Sequence, residues 1–517
     1  MLGERDPQRK LFSAAQQLGP ERLKKMGFYG RMATEGYKLF SDQDFAGAYV
    51  LDNGRPSVPP SLLAIARVLQ HYAGVSDAEA IERHCDDLRW KVAMDLDLTS
   101  IEPVFAKSTF QAFRARLTLF EKEALAFEKS VHAAKEAGLF PKRLRVALDS
   151  SPVRGRGAIK DTINLLSDAI VAVLRAVADK GSRKAQDIAH EAGLDRHVNE
   201  PSIKGTELVE WTDLDAVNEF LGGLVADCEK AVAVANKAEC ATEEVALLKK
   251  IIEQDVEHST DGGSPKIRQG VAKDRTVSVT DPEMRHGRKS SGKGYNGHKA
   301  HVAVDTESGI ITAVEMGAPG QADGSQVQPL VEQTVRITQI PVEQALGDTA
   351  YSSKTAVDQA KDAHIELVTK MPSPPHGRLG PDAFKVSPDG KTAQCPAGYV
   401  SKSVHKNKDG FEHTWQERQC SACPLRSQCT TGKFRTLRVP VNFHDRRARE
   451  KYARSEEGRL LLRKRVVVEH AIGRLKHLGA GASRYFGQLK TKAQWMWSAA
   501  VANLSLVWHE KEIQPAI

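Results

Sequence analysis

Apolar positions recur at helical spacing from about residue 20 to 137. The run 61–69, Ser-Leu-Leu-Ala-Ile-Ala-Arg-Val-Leu, follows Pro59-Pro60, a favourable helix start. Ser76-Asp77-Ala78-Glu79 has the form of a capping box. A third helix over 108–117 is expected to open on a hydroxyl cap, with Arg114 and Arg116 keeping it basic. The period changes at Leu144, Val146 and Leu148, which alternate as in a strand and end at Asp149. A helical stretch rich in Ala, Glu, Lys and Asp follows from about 160 to 258. The polar, Gly-rich, basic segment 285–299 then leads to apolar runs at 301–304 and 310–314, a hairpin pattern around Gly309. Beyond it the pattern predicts a helix over 323–338, a strand over 343–348 ending in Asp348, and another strand over 364–369. A Pro/Gly-rich link at 372–381 precedes a cysteine module, and two long helices, roughly 446–478 and 491–510, end the pattern. This order of elements predicts an α/β fold with a mixed sheet.

A length of 517 residues suggests roughly three domains. With 41% hydrophobic residues the chain can bury a core. Nothing resembles a secretory leader or the roughly 20 apolar residues of a membrane span. The expectation is a soluble protein of the bacterial cytosol or nucleoid with no membrane partner. The net charge of +8 suits a nucleic-acid partner without requiring one. Of seven cysteines, Cys395, Cys420, Cys423 and Cys429 fall close together, which in a reducing compartment points to metal before disulfide. Cys85, Cys228 and Cys240 read as buried structural thiols.

Asp149 and Asp348 each end an apolar strand, where α/β sheets place their chemistry, although an aspartate there also serves as a turn cap. A third acid, Glu469, lies in the pattern Arg465-x3-Glu469-x6-Lys476, which puts all three side chains on one helical face. Leu461, Val468, Ile472 and Leu475 form the adjoining stripe that can dock on a sheet. Three carboxylates suffice to hold two divalent cations about 4 Å apart, the arrangement that hydrolyses phosphodiesters. The competing interpretation of the helix face is a solvated ion-pair row.

The Arg465-x3-Glu469-x6-Lys476 spacing resembles the core signature of bacterial insertion-sequence transposases of the DDE class. Leu148-Asp149-Ser150-Ser151 resembles that family's first-Asp strand, and Gly347-Asp348-Thr349-Ala350-Tyr351 its second-Asp motif. The stretch from Lys293 to Asp305 resembles the hairpin between them, and Tyr72 with 108–117 resembles the helical N-terminal domain. One departure is Leu462, where the family often has Tyr. The resemblance implies a ribonuclease-H-like core and metal-dependent cleavage of transposon ends, followed by strand transfer into target DNA. It implies Asp149, Asp348 and Glu469 as ligands of two Mg²⁺ or Mn²⁺ ions, with Asp149 bridging both. Arg465, Arg474, Lys476, Tyr351, Lys293 and Lys299 are the expected DNA contacts. The partners would be double-stranded inverted-repeat ends and target DNA, bound by a homodimer on paired ends.

The domains expected are a helical N-terminal one at 1–137, a first part of the catalytic core at 138–390 with a helical insertion at 160–265, a four-cysteine zinc-ribbon-like insertion at 391–435, and the rest of the core at 436–517. Four thiolates suit a structural Zn²⁺ site, with Cys420-x2-Cys423 as one arm of usual spacing and the other two ligands unpaired. Plain reduced thiols are the alternative. Gly292-x-Gly294-x2-Gly297 matches a dinucleotide-loop spacing, but a polar segment precedes it and a strand follows, which disfavours nucleotide binding; the lysines, arginines and Tyr295 there fit a flexible DNA-contacting loop or a solvated one. Two other functional readings stay open: an inactive transposase-derived DNA-binding regulator, and a nuclease of the same fold that never joins strands.

Overall fold

The computed structural model describes residues 1–6, 13–50, 53–200, 202–258, 263–290, 292–372 and 377–513, so residues 373–376 of the link at 372–381 lie outside the described residues. The N-terminal third is helical. Helix α1 (Pro60–Ala73) starts from Pro59 and is buried along nearly its whole length. Ser76 and Glu79 form the expected capping box. The helix at Lys107–Leu119 lacks the expected hydroxyl cap: Ala106 occupies the cap, and Phe110, Phe113 and Leu117 anchor the helix by burial instead. Tertiary packing has replaced local capping there.

Helix α2 (Leu125–Glu136) leads into the central sheet. The strands are β1 (Leu144–Arg154), β2 (Arg285–Ser290), β3 (Lys293–Asp305), β4 (Ile311–Gly317), β5 (Val342–Gly347) and β6 (Glu366–Thr369). Their order is β2–β3–β1–β5–β6, with β4 also on β3. β1 runs antiparallel to β3 and parallel to β5, which is parallel to β6, so the sheet is mixed as expected. The segment 285–299 is not a loop: β2 and β3 form a hairpin there. Gly297, at φ 152°, lets β3 cross close to β1, since a Cβ would lie 2.1 Å from the Val153 carbonyl oxygen. Gly297 therefore serves strand packing.

Side-chain alternation along β1 sends Leu144, Val146 and Leu148 to one face and Ala147 and Val153 to the other. The first face is covered by α3 (Val327–Thr338) and the helix at Lys354–Asp362. The second is covered by α2, α4 (Val466–His477) and α5 (Gln488–Ile513). On α5, Trp495 and Met496 pack on the sheet while Trp497, Val501 and Leu504 pack into the N-terminal helices. A helix apolar on all sides is one buried on all sides. Asn503 secures the β4 edge, accepting from the Ile311 N–H and donating to its carbonyl, both at 2.9 Å.

The residues expected as one helix over 446–478 form three: Phe443–Arg454, Glu456–Arg463 and α4. Ser455 makes the first break, capping the second helix through a 3.1 Å bond from the Gly458 N–H. Between β1 and β2, helices over 162–255 pack around a core of their own that includes Leu165, Ile170, Leu221, Leu224, Leu248 and Ile251. A small antiparallel sheet, β7 (Ser403–Asn407), β8 (Gly410–Thr414) and β9 (Thr436–Pro440), carries the cysteine module. Among the described residues no helix is long and apolar enough to cross a membrane.

Candidate active site

Strand register brings the first two acids together. Ala147 of β1 is paired with Leu346 of β5 in a parallel ladder, so Asp149 and Asp348, each two residues further on, stand level; β5 ends at Gly347, but β1 continues to Arg154, so Asp149 lies within its strand and not at its end as expected. Asp149 shares the face of Ala147, the one covered by α4. Helix α4 docks there through Val468, Ala471, Ile472 and Leu475, which places Glu469 at the rim. Asp149, Asp348, Glu469, Arg465 and Lys476 line a single cleft of about 510 Å³. Three acids separated by hundreds of residues in the chain thus face one space.

Each acid has local partners. Asp149 Oδ1 accepts the Ser150 N–H at 2.7 Å, and Oδ2 accepts from Arg465 Nη2 at 3.1 Å. Burial raises the Asp149 pKa above its ordinary value. The Ser150 and Arg465 contacts oppose that rise, and the nearby Asp348 and Glu469 add to it. Asp348 accepts from the Ala350 N–H at 2.9 Å and caps the short turn Thr349–Ser352, so it also performs the ordinary task of a strand-end aspartate. Glu469 is the most open acid, with 59% of its side chain exposed and an ion pair to Arg465 at 3.8 Å.

The Gly347-Asp348 step has a steric reason. A Cβ on Gly347 would come within 2.5 Å of the Tyr351 Cβ, so glycine lets Tyr351 fold back beneath the strand end. Tyr351 is fully buried and its hydroxyl has no partner among the described residues. The Tyr351 ring, expected at the DNA surface, lies inside beneath the Asp348 turn. Lys299 is also turned inward, donating to the Gln321 carbonyl at 2.8 Å and to Asp323 at 3.0 Å. Arg474 donates to the Gly309 carbonyl at 3.1 Å, at the β3–β4 turn and outside the cleft lining. Neither is free for DNA in this arrangement. Lys293 is exposed at the tip of the β2–β3 hairpin.

Two further lysines line the cleft, and the sequence pattern points to Lys289 only as part of a basic segment and not to Lys370. Lys370 follows β6, whose Thr369 pairs with Gly347, so parallel register brings it level with Asp348. A strand-end position was its available signal. Lys289 enters the cleft from the β2–β3 hairpin, which the sequence pattern left as a loop. Partial burial and then Lys289 push the Lys476 ammonium pKa down. A concentrated positive rim therefore borders the acids.

The cleft joins three carboxylates to a cationic rim. Carboxylate oxygens are hard donors suited to Mg²⁺ or Mn²⁺, and the mutual electrostatic burden of Asp149, Asp348 and Glu469 is what a divalent ion would relieve. Among the described residues, no three His, Cys, Asp or Glu side chains are drawn close enough to hold an ion as they stand. The match between residues and ion is thus one of donor type and convergence.

Comparison with known families decides the assignment. Residues 394–508 match the model of a Transposase DDE domain, and residues 36–116 match a Transposase domain (DUF772). These matches support an insertion-sequence DDE transposase. The DDE match contains Glu469 and all four clustered cysteines, and the second match covers the helices around α1. No curated protein and no solved structure matches the chain.

The clustered cysteines also converge. Cys395, Cys420, Cys423 and Cys429 line one small cavity of about 30 Å³ with Leu379 and Trp415. The cysteines come from a turn, a short helix, the turn after it and the end of another helix. Burial pushes the Cys429 thiol pKa up, Arg435 opposes, and the other three cysteines add to the rise.

Proposed function

We propose that this chain cuts transposon DNA ends and joins them to target DNA, using Asp149, Asp348 and Glu469 to hold divalent ions. The observation that carries the reading is the convergence of these three acids on one cleft with Arg465 and Lys476. The strand order β4–β3–β1–β5–β6, with three antiparallel strands followed by two parallel ones, supports a ribonuclease-H-like core. We read 1–137 as the DNA-binding helical domain, 160–265 as a helical insertion, 391–435 as a cysteine-rich insertion, and the remainder as catalytic core.

Bound divalent ions supply an activated oxygen nucleophile and charge stabilisation for the leaving oxygen. The chain's own residues do the rest. Lys476, Lys370 and Lys289 hold DNA phosphates along the rim, positioning a phosphodiester over the acids. Asp149 is anchored by the Ser150 N–H and Asp348 by its own turn, so both carboxylates are oriented before substrate arrives. Four thiolates around one cavity support a structural Zn²⁺ that would fix the cysteine module beside the core. A homodimer on paired ends is proposed on family resemblance alone.

The test is a labelled transposon-end duplex followed for nicking and joining. Asp149→Ala and Asp348→Ala should each abolish both steps and keep end binding. Mn²⁺ should replace Mg²⁺, and Ca²⁺ should support binding with little cleavage. Nicking by Asp348→Ala at the wild-type rate would remove that residue from the ligand set.

A further inference from the structure

Arg465 lies between two of the acids. Its Nη2 donates to Asp149 Oδ2 at 3.1 Å, and its Nη1 is 3.8 Å from Glu469 Oε1. The side chain is 14% exposed, and Nε has no partner among the described residues. Asp149 is nearly as enclosed, at 19%, whereas Glu469 reaches outward. One guanidinium thus occupies the space toward which a ligand set of Asp149 and Glu469 would converge, and separates the two carboxylates.

We propose that Arg465 is a displaceable counter-ion, which bridges Asp149 and Glu469 until a divalent ion expels it toward DNA phosphate. The proposal rests on the metal-site reading above and adds the order of events. An ion and a guanidinium on Asp149 compete for its lone pairs and repel each other, so each weakens the other's hold. Arg465 occupies the N-cap position of α4, two residues after the helix that ends at Arg463, on a flexible three-methylene stem. Lys476, Lys289 and Lys370 line the same cleft, so a released guanidinium joins a surface already suited to phosphate. Its planar fork matches phosphate oxygens in pairs, which an ammonium cannot do.

Displacement makes ion and DNA binding cooperative. In the free protein the ion must break the Arg465–Asp149 pair, which weakens its binding. Once DNA phosphate receives the guanidinium, that cost falls, and by reciprocity the ion strengthens DNA binding by the same factor. The protein therefore loads its ions most readily on bound ends. This arrangement limits ion-dependent cutting to the assembled complex.

The experiment uses the full-length chain and reads binding rather than turnover. Mn²⁺ affinity is measured without DNA by electron paramagnetic resonance for wild type, Arg465→Ala, Arg465→Gln and Asp149→Asn. End-duplex affinity is then measured with and without Ca²⁺. Both Arg465 variants should bind Mn²⁺ about tenfold tighter than wild type, within the usual range of coupling between sites. They should also lose most of the Ca²⁺-dependent gain in end affinity that wild type shows. Agreement between Ala and Gln, with unchanged circular dichroism, rules out misfolding as the cause. Equal or weaker Mn²⁺ binding by both variants overturns the counter-ion role, while loss of Mn²⁺ by Asp149→Asn keeps the metal site itself intact. Wild-type Mn²⁺ binding by Asp149→Asn overturns the metal-site reading and this proposal with it.

Discussion

Replacing Glu469 by Ala separates stability from chemistry. Glu469 has 59% of its side chain exposed, and its ion pair to Arg465 spans 3.8 Å. An exposed pair of that kind contributes about 0–1 kcal/mol. Glu469 also lies in the first turn of α4, where a carboxylate gains roughly 0.3–1 kcal/mol from the helix dipole. Alanine recovers part of this through higher helix propensity. The net cost should stay near 1 kcal/mol, a shift in melting temperature of about 2–4 °C for a domain of 150–250 residues. Cutting should fall far more. Loss of an ion ligand is expected to reduce end nicking by at least about a thousandfold, equivalent to roughly 4 kcal/mol of barrier. The assay pairs a thermal melt with single-turnover nicking of a labelled end duplex, and filter binding confirms that the end is still held. Wild-type nicking with a small melting shift would return the helix face to a solvated ion-pair row. A large melting shift would instead mean that Glu469 carries packing that its exposure denies.

Lys476→Ala should weaken end binding and lower the slope of log affinity against log salt by about one phosphate contact; an unchanged slope removes Lys476 from the interface. Purified protein should hold about one zinc per chain, and Cys423→Ser should release it and lower the melting temperature of the cysteine module, read by atomic absorption and calorimetry; metal-free, fully active protein would leave four reduced thiols. Burial raises the Asp149 pKa above the ordinary 3.8, so its contribution to stability is fully present below that value and is lost as pH rises through the folded-state value. In chelator, Asp149→Asn should therefore melt above wild type at pH 7, with the gap closing as pH falls toward 3.8, and a lower melting point at pH 7 would contradict that sign.

What the sequence alone determined is local. Alternation at Leu144, Val146 and Leu148 specifies a strand with two faces, and it leaves Asp149 on the face opposite those residues. The stripe of Val468, Ile472 and Leu475 specifies which side of α4 docks and therefore which side carries Glu469. The capping box at Ser76 is complete within four residues, and it forms as written. These features depend on periodicity and short-range hydrogen bonds, which a single stretch of chain contains.

Tertiary structure decided the rest. Level placement of Asp149, Asp348 and Lys370 comes from parallel register between strands far apart in the chain, and nothing in any one strand encodes its partner. The polar segment 285–299 becomes a hairpin whose second strand continues into the Gly297–Asp305 pairing with β1, a long-range contact that overrides its loop-like composition. Lys299, Arg474 and Tyr351 carry polar groups apt for DNA, yet the fold turns them toward Asp323, the Gly309 carbonyl and the protein interior. Helix α5 packs on the catalytic sheet with one face and on the N-terminal helices with another, a double burial that its apolar composition permits without naming either partner. The contact between Arg465 and Asp149 spans 316 residues of sequence, so only the docking of α4 on β1 could bring a guanidinium onto that carboxylate.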